Sequence, residues 1–265
     1  MAAVVRGMFA LEPAQHRAES CQPGGRGDAS GGETQPVESG EIPRCLLVGP
    51  KGSGKTALLF QYGLSLVRQG RRVTFISHET LHTMPLHVAG ATKPDPLSLK
   101  QLQILYLNTQ EALLKFLSSI HTQAPLPTQA PLPTAILVDD LDYYVSTAQT
   151  AESAPVVARL CAYLVDAAYF ISNKLSEDKT SVAGRILCPV VATVAPPGDR
   201  TALQWYERFL TSVWEVKGVA GQPTMYQLSD ASSAERAPLV VTYEIGGTLR
   251  VLDVQDLNEP MEGDD

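Results

Sequence analysis

The chain has 265 residues, 44% of them hydrophobic, enough for one well-buried domain with appendages. Its net charge of −7 sits at the ends: residues 1–44 carry four Arg and six acids and residues 253–265 six acids and no base, leaving 17 basic and 16 acidic residues between them. A neutral core excludes nucleic-acid attraction by bulk charge and requires a local patch instead, while no run is expected to approach the ~20 apolar residues of a membrane span.

In chain order, residues 1–41 open without the sustained apolar h-region of a signal peptide and continue rich in Gly, Glu, Ser and Gln, so this extension is expected to be disordered. Cys45-Leu46-Leu47-Val48 reads as a buried strand, followed by the glycine loop GPKGSGKT at 49–56 and a helix over 55–69 that Gly70 ends. Strands are expected at 72–77 and 103–107, and Asn108-Thr109-Gln110-Glu111 is a capping-box-like start to a helix over 109–121. The tandem TQAPLP repeat makes 122–134 a Pro-rich connector. A strand at 135–139, a long helix over 152–175, a strand at 189–194 and a helix over 201–210 follow. The period then turns to strands at 212–216 and 225–228 and a hairpin of 239–245 with 248–254, turning at Gly246-Gly247. The tail 254–265 is acidic and expected to be mobile. Strands alternating with helices predict an α/β domain over 42–253: a mostly parallel central sheet with helices on both faces and a C-terminal antiparallel extension. Cys45, Cys161 and Cys188 fall in apolar segments, and the four cysteines form no C-x-x-C pair, which fits reduced core thiols in the cytosol or nucleus and no zinc site.

The glycine loop matches G-x-x-x-x-G-K-[ST] at Gly49, Gly54, Lys55 and Thr56. A strand before and a helix after give it the context of an ATP phosphate loop, with Gly49, Pro50, Lys51, Gly52, Ser53, Gly54, Lys55, Thr56 and Ala57 as the binding stretch. Lys55 supplies charge to the phosphates and Thr56 a hydroxyl to Mg²⁺. Three apolar residues ending in Asp139 put a carboxylate for the Mg²⁺ water shell at a strand's carboxyl end. Asp140 is either a water-activating group or a turn acid, and Asp142 reads as a turn acid. Glu79, two residues past the second strand, is either the base that orients the attacking water or a loop carboxylate; that strand is expected to neighbour the nucleotide strand, which would put Glu79 near the γ-phosphate. Asn173-Lys174-Leu175-Ser176 lacks the acid of the guanine-reading N-K-x-D, so ATP is the expected nucleotide.

GSGKTALLF, Met84-Pro85, DPLSLKQLQILYL and AILVDD together resemble the small vertebrate ATPases of the Shu complex that partner a SWIM-type zinc-finger protein and are paralogues of the RecA-like recombinases. The resemblance runs over roughly 44–253, and the stretch 84–107 carries the family-level match. It implies a P-loop NTPase core of RecA type, single-stranded DNA binding, DNA-stimulated ATP hydrolysis, a nuclear role in homologous recombination, and a mutually stabilising heterodimer with the SWIM protein, working with the recombinase and its paralogues. By position, Lys55, Thr56, Asp139 and Glu79 match the catalytic set. The chain departs from recombinases in the extension before its loop, in the apolar Ala195-Pro196-Pro197 where a polar γ-phosphate sensor would stand, and in the short loop after it. An accessory role follows better than strand exchange.

In such a core, single-stranded DNA passes the loops after the fourth strand and after 189–194. Tyr143 and Tyr144 are the candidates for base stacking, with core or partner contacts as the alternative, and Arg185 and Arg200 for phosphate, with solvated charge as the alternative. Arg68, Arg71 and Arg72 are read as complements to the helix dipole.

Overall fold

A computed structural model describes residues 2–11, 41–93, 95–122, 131–146, 153–177, 186–196, 200–231 and 239–256. Helix α1 (Ala2–Met8) comes first, then strand β1 (Arg44–Val48), α2 (Lys55–Arg68), β2 (Val73–Ser77), α3 (Pro96–Leu99), β3 (Leu102–Tyr106) and α4 (Gln110–Ile120). The middle of the chain gives β4 (Ala135–Val138), α5 (Leu141–Ser146), α6 (Ser153–Glu177), β5 (Val190–Val194) and α7 (Arg200–Glu207). Four strands close it: β6 (Ser212–Val219), β7 (Gln222–Asp230), β8 (Leu239–Ile245) and β9 (Leu249–Asp256).

Among the described residues, nine strands join one sheet in the order β3-β2-β4-β5-β1-β6-β7-β8-β9. From β3 to β6 the pairs are parallel, and from β6 to β9 they are antiparallel. The central strands β1, β2, β4 and β5 are buried at every position but Arg44 because both faces are covered, and their period of two deals the side chains to opposite sides. Cys45, Leu47, Phe75, Leu137 and Val191 enter one core with α1 and α2. Leu46, Val48, Ile76, Ile136, Val138 and Ala192 enter the other with α4, α6 and the start of α5. The antiparallel strands send Trp214, Val216, Leu228, Val241, Tyr243 and Leu249 into the first core, beside α2. Cys45, Cys161 and Cys188 are buried free thiols, and burial pushes each up to about 12.

Local chemistry sets the helix starts. Thr109 accepts the Ala112 N–H at 3.1 Å as the N-cap of α4, at the start expected from sequence. Asp95 caps α3 on the N–H groups of Leu97 and Ser98, with Pro96 at the first helical position.

Five expectations are corrected. Residues 2–8 are helical, and Val4, Val5, Met8 and Phe9 are buried, so the disordered reading fails at the very start of the extension. Seven residues are too few to show an amphipathic period, and α1 exists through its packing on α2. Gly7 is the point of closest approach: a Cβ there would stand 2.8 Å from Ser65 Oγ and from the Tyr62 ring. At the other end β9 runs to Asp256, so the acidic tail begins later than residue 254; pairing with β8 holds those residues. β2 lies between β3 and β4, and it is β5 and β6 that flank β1, an order that strand patterns alone do not encode. Ala154–Glu177 of α6 is long and apolar enough to cross a membrane by length and composition, with mean hydropathy 1.5, because isolated charges interrupt the run without making it polar. Its Leu160, Leu164, Ala167, Ala168 and Ile171 nonetheless pack in the second core. Arg71 and Arg72 do not serve the helix dipole. Arg71 donates to the carbonyls of Thr134 and Leu187, each at 2.6 Å, and Arg72 to that of Leu132 at 2.8 Å, tying down the chain that enters β4 and β5. The Pro-rich segment from 123 to 130, residues 12–40 and the tail beyond 256 lie outside the described residues.

Candidate nucleotide site

The loop of residues 49–54 joins the carboxyl end of β1 to the amino end of α2. Its first N–H, from Gly49, donates to the Val194 carbonyl at 3.2 Å, and the Ser53 N–H turns back to Pro50 at 3.3 Å. Gly52 and Gly54 take φ of 81° and 82°, a left-handed backbone that side chains resist. Gly54 is also crowded: a Cβ there would lie 3.0 Å from Ile245 Cδ1. Lys55, only 6% exposed, holds its ammonium over the loop by donating to Gly49 O at 2.8 Å and Pro50 O at 3.1 Å. The exposed Lys51 and Gly52 form the rim, and Ala57 is buried in the first turn of α2.

Asp139 stands at the carboxyl end of β4 and is 4% exposed. Its N–H donates to the Ile76 carbonyl of β2 at 2.8 Å, and its Oδ1 accepts from Thr193 Oγ1 at 2.8 Å. Burial pushes its carboxyl up to about 6, with the Asp140 charge adding to the rise, while hydrogen bonds from Thr193 and Thr56 and the Lys55 charge work against it. Thr56 and Asp139 thus meet across the sheet end, with Lys55 alongside. Hydroxyl and carboxylate oxygens in this arrangement are the donor set of a hard divalent cation, and the residues present fit Mg²⁺ with a polyphosphate on the loop. Thr193 has a double task, since its hydroxyl also accepts the Asp140 N–H at 2.8 Å. Asp140 sits at φ 47°, so the strand leaves the sheet by a sharp left-handed turn into α5.

Sequence reasoning missed Thr193, whose only signal was a single hydroxyl in an otherwise apolar strand. It also missed the wall behind the loop. Tyr243 of β8 donates to the Ser53 carbonyl at 2.7 Å, and Val216 of β6 crowds Gly49 at 2.8 Å from the position of a Cβ.

Glu79 follows β2, next to the strand of Asp139. Its side chain is 76% exposed and stands 3.7 Å from His78 Nε2. The His78 ring stacks on Tyr143 at 3.9 Å between centroids, which covers one face of that tyrosine. Tyr144 is no stacking platform: it is fully buried, and its hydroxyl donates to the Leu107 carbonyl at 2.7 Å. The sequence placed both tyrosines on a loop, whereas they lie on α5, whose helical spacing turns Tyr144 inward. Asp142 is in the first turn of that helix rather than a free turn, and burial pushes its carboxyl up. Arg200 opens α7 beyond the carboxyl end of β5, and Arg185 lies outside the described residues.

Among the solved structures that share the architecture are two with these likenesses. The RadB recombinase superposes with a TM-score of 0.53 at 14% identity, covering 80% of this chain and 92% of that one. The flagellar accessory protein FlaH from Methanocaldococcus jannaschii does so with a TM-score of 0.50 at 12% identity, over 81% and 92%. These likenesses show the fold, a RecA-type P-loop core. No protein-family model matches the chain. Human ATPase SWSAP1 is 34% identical over 168 residues, which span 63% of this chain and 68% of that protein. With the phosphate loop, the buried acid and the sheet order in agreement, the chain belongs to the family of ATPase SWSAP1.

Proposed function

We propose that this chain is an ATP-binding, single-stranded-DNA-binding ATPase, stimulated by DNA, that serves as an accessory factor in homologous recombination. It would act in the nucleus as a heterodimer with a SWIM-type zinc-finger protein, each stabilising the other, alongside the recombinase and its paralogues. The observation that carries the nucleotide part is the meeting of Lys55, Thr56 and Asp139 at one end of the sheet. Kinship with ATPase SWSAP1 supports hydrolysis and the recombination setting.

Bound Mg²⁺ supplies a positive centre that offsets phosphate charge. The protein's part is to hold and orient. The N–H groups of the loop and of the first turn of α2 donate to phosphate oxygens, with the helix dipole behind them. Lys55 would turn its ammonium from the two loop carbonyls to phosphate oxygens, and the Thr56 hydroxyl and the Asp139 carboxylate would hold the cation. Glu79, on the loop beside β4, orients a water and accepts its proton, which requires its exposed carboxylate to swing from His78 toward the phosphates. Tyr143 through stacking, and Arg200 and Arg185 through phosphate contacts, are the DNA-facing candidates that remain.

A second reading is favoured by one observation. Ala195 and Pro196, which leave β5, offer no polar side chain to sense a γ-phosphate, and Glu79 faces solvent. On that reading the nucleotide only clamps the fold, and the protein holds its partner on DNA without turnover. ATP turnover by the full chain co-expressed with the SWIM protein, with and without single-stranded DNA, decides between them. A DNA-raised rate that Lys55→Ala abolishes and Glu79→Ala lowers supports the ATPase. A wild-type rate equal to that of Lys55→Ala under every condition supports the clamp.

A further inference from the structure

The phosphate loop is held from the front by β5 and from behind by the antiparallel extension. Tyr243 is fully buried on β8, and its hydroxyl donates to the Ser53 carbonyl at 2.7 Å. A planar trans peptide points its carbonyl and its N–H in opposite directions, and no described peptide bond is cis. With the Ser53 oxygen committed to β8, the N–H of Gly54 in the same peptide unit faces the opposite side, away from the extension. We propose that Tyr243 is a positioning residue of the nucleotide site, a latch behind the loop that keeps the Gly54 N–H turned toward the phosphates. The inference rests on the reading that this loop binds nucleotide.

The surroundings fit a latch better than a chance core contact. Alternation along β8 puts Tyr243 and Ile245 on one face, and both reach the same peptide unit: Tyr243 bonds its carbonyl, and Ile245 packs against Gly54, at 3.0 Å from where a Cβ would be. The tyrosine ring is itself fixed on two sides. Phe9, just past α1, lies 5.3 Å away at 54°, and Tyr226 of β7 stacks at 5.9 Å and 26°. Any buried tyrosine hydroxyl finds an acceptor. This one has found the carbonyl next to the left-handed Gly54, where a peptide flip would turn a phosphate donor away. Burial pushes the phenol upward, so the hydroxyl remains a donor at physiological pH.

The test uses the full chain with Tyr243→Phe, which keeps the ring and removes the donor. Affinities for Mg-ATP and for inorganic tripolyphosphate are measured by calorimetry, alongside melting of the nucleotide-free protein. Tyr226→Phe serves as the control on the neighbouring ring, and Lys55→Ala as the control on the site. The expected result is a Kd raised about three- to tenfold for both ligands by the same factor, since one hydrogen bond is lost at the phosphate end. Tyr226→Phe should bind as wild type. Because tripolyphosphate carries no base or ribose, a matched loss locates the effect at the loop. Wild-type binding that Tyr243→Phe leaves within twofold overturns the latch alone, whatever happens to melting. A wild type that binds neither ligand better than Lys55→Ala overturns the nucleotide reading and the latch with it.

Discussion

The two flanks of the phosphate loop are built on opposite principles. In front, at the carboxyl ends of the parallel strands β2, β4 and β5, polar groups are gathered by short sequence strings: a lysine and threonine at the loop's end, an acid closing an apolar run. Behind, the antiparallel strands β6 to β9 contribute Val216, Tyr243, Ile245 and Leu249, of which one makes a hydrogen bond to the loop and the rest fill space. The front holds the chemistry and the back holds the front in place. A loop with two left-handed glycines is not self-supporting, so a nucleotide site of this kind needs a rigid wall on the side away from the ligand.

The contrast breaks most directly at Lys55. Lys55→Ala removes a charged donor from the front and leaves the wall intact. ATP affinity should fall on the order of a hundredfold, while the nucleotide-free melting temperature changes little; calorimetry and a thermal scan read both. A large fall in melting temperature would mean that the lysine's bonds to Gly49 and Pro50 are part of the loop's support, and the division between flanks would fail.

Asp139 sharpens it through pH. Its ordinary value is 3.8 and burial raises it to about 6 in the nucleotide-free protein. Across that window the folded protein keeps a proton that the unfolded chain has released, so stability falls as pH rises from about 4 to about 6 and is level above, a cost of about 3 kcal/mol. Asp139→Asn should flatten that slope in urea titrations run in EDTA and remain folded, yet lose Mg²⁺-dependent turnover. The site would then be shown to store a cost that the metal relieves. An unchanged slope would assign the titration to other carboxylates.

Thr193→Val tests the link between β5 and β4. The substitution keeps the shape and removes the donor to Asp139 and the acceptor for the Asp140 N–H, so a buried carboxylate and a half-buried N–H lose a partner. The expected cost is about 2 kcal/mol in urea unfolding, with the Asp139 carboxyl driven higher still. A cost near zero would mean that water takes over both bonds.

The difference between the flanks also explains what was legible. GPKGSGKT and AILVDD are contiguous, and each string carries the strand, the turn and the chemical group together, so Lys55, Thr56 and Asp139 could be named without a structure. The parallel sheet and its antiparallel extension followed from the change of period at Ser212. Thr193 and Tyr243 could not be named, because neither has a local signal; they matter through partners 54 and 190 residues away. Tyr144 failed for a related reason. Adjacent tyrosines on a loop would both be available, but on a helix they are about 100° apart, and one turns into the core. Helix α1 was hidden because its stability comes from α2 and Tyr243 rather than from its own seven residues.

That last dependence gives the smallest effect and the most informative one. Gly7→Ala adds one carbon where α1 meets α2, 2.8 Å from Ser65 Oγ and the Tyr62 ring. The helix must lift by a few tenths of an ångström, at a cost of about 1 kcal/mol in the unfolding free energy. If α1 only covers the core, that is the whole effect. If it belongs to the wall, displacement of Phe9 frees the Tyr243 ring and weakens its hold on Ser53, so the Kd for Mg-ATP should rise about twofold in a protein that is still fully folded. Combining Gly7→Ala with Tyr243→Phe then separates the cases. Once the hydroxyl is gone, lifting α1 has nothing further to loosen in the loop, and the double variant should bind nucleotide no worse than Tyr243→Phe alone. Additive losses would place the contribution of α1 elsewhere than the latch.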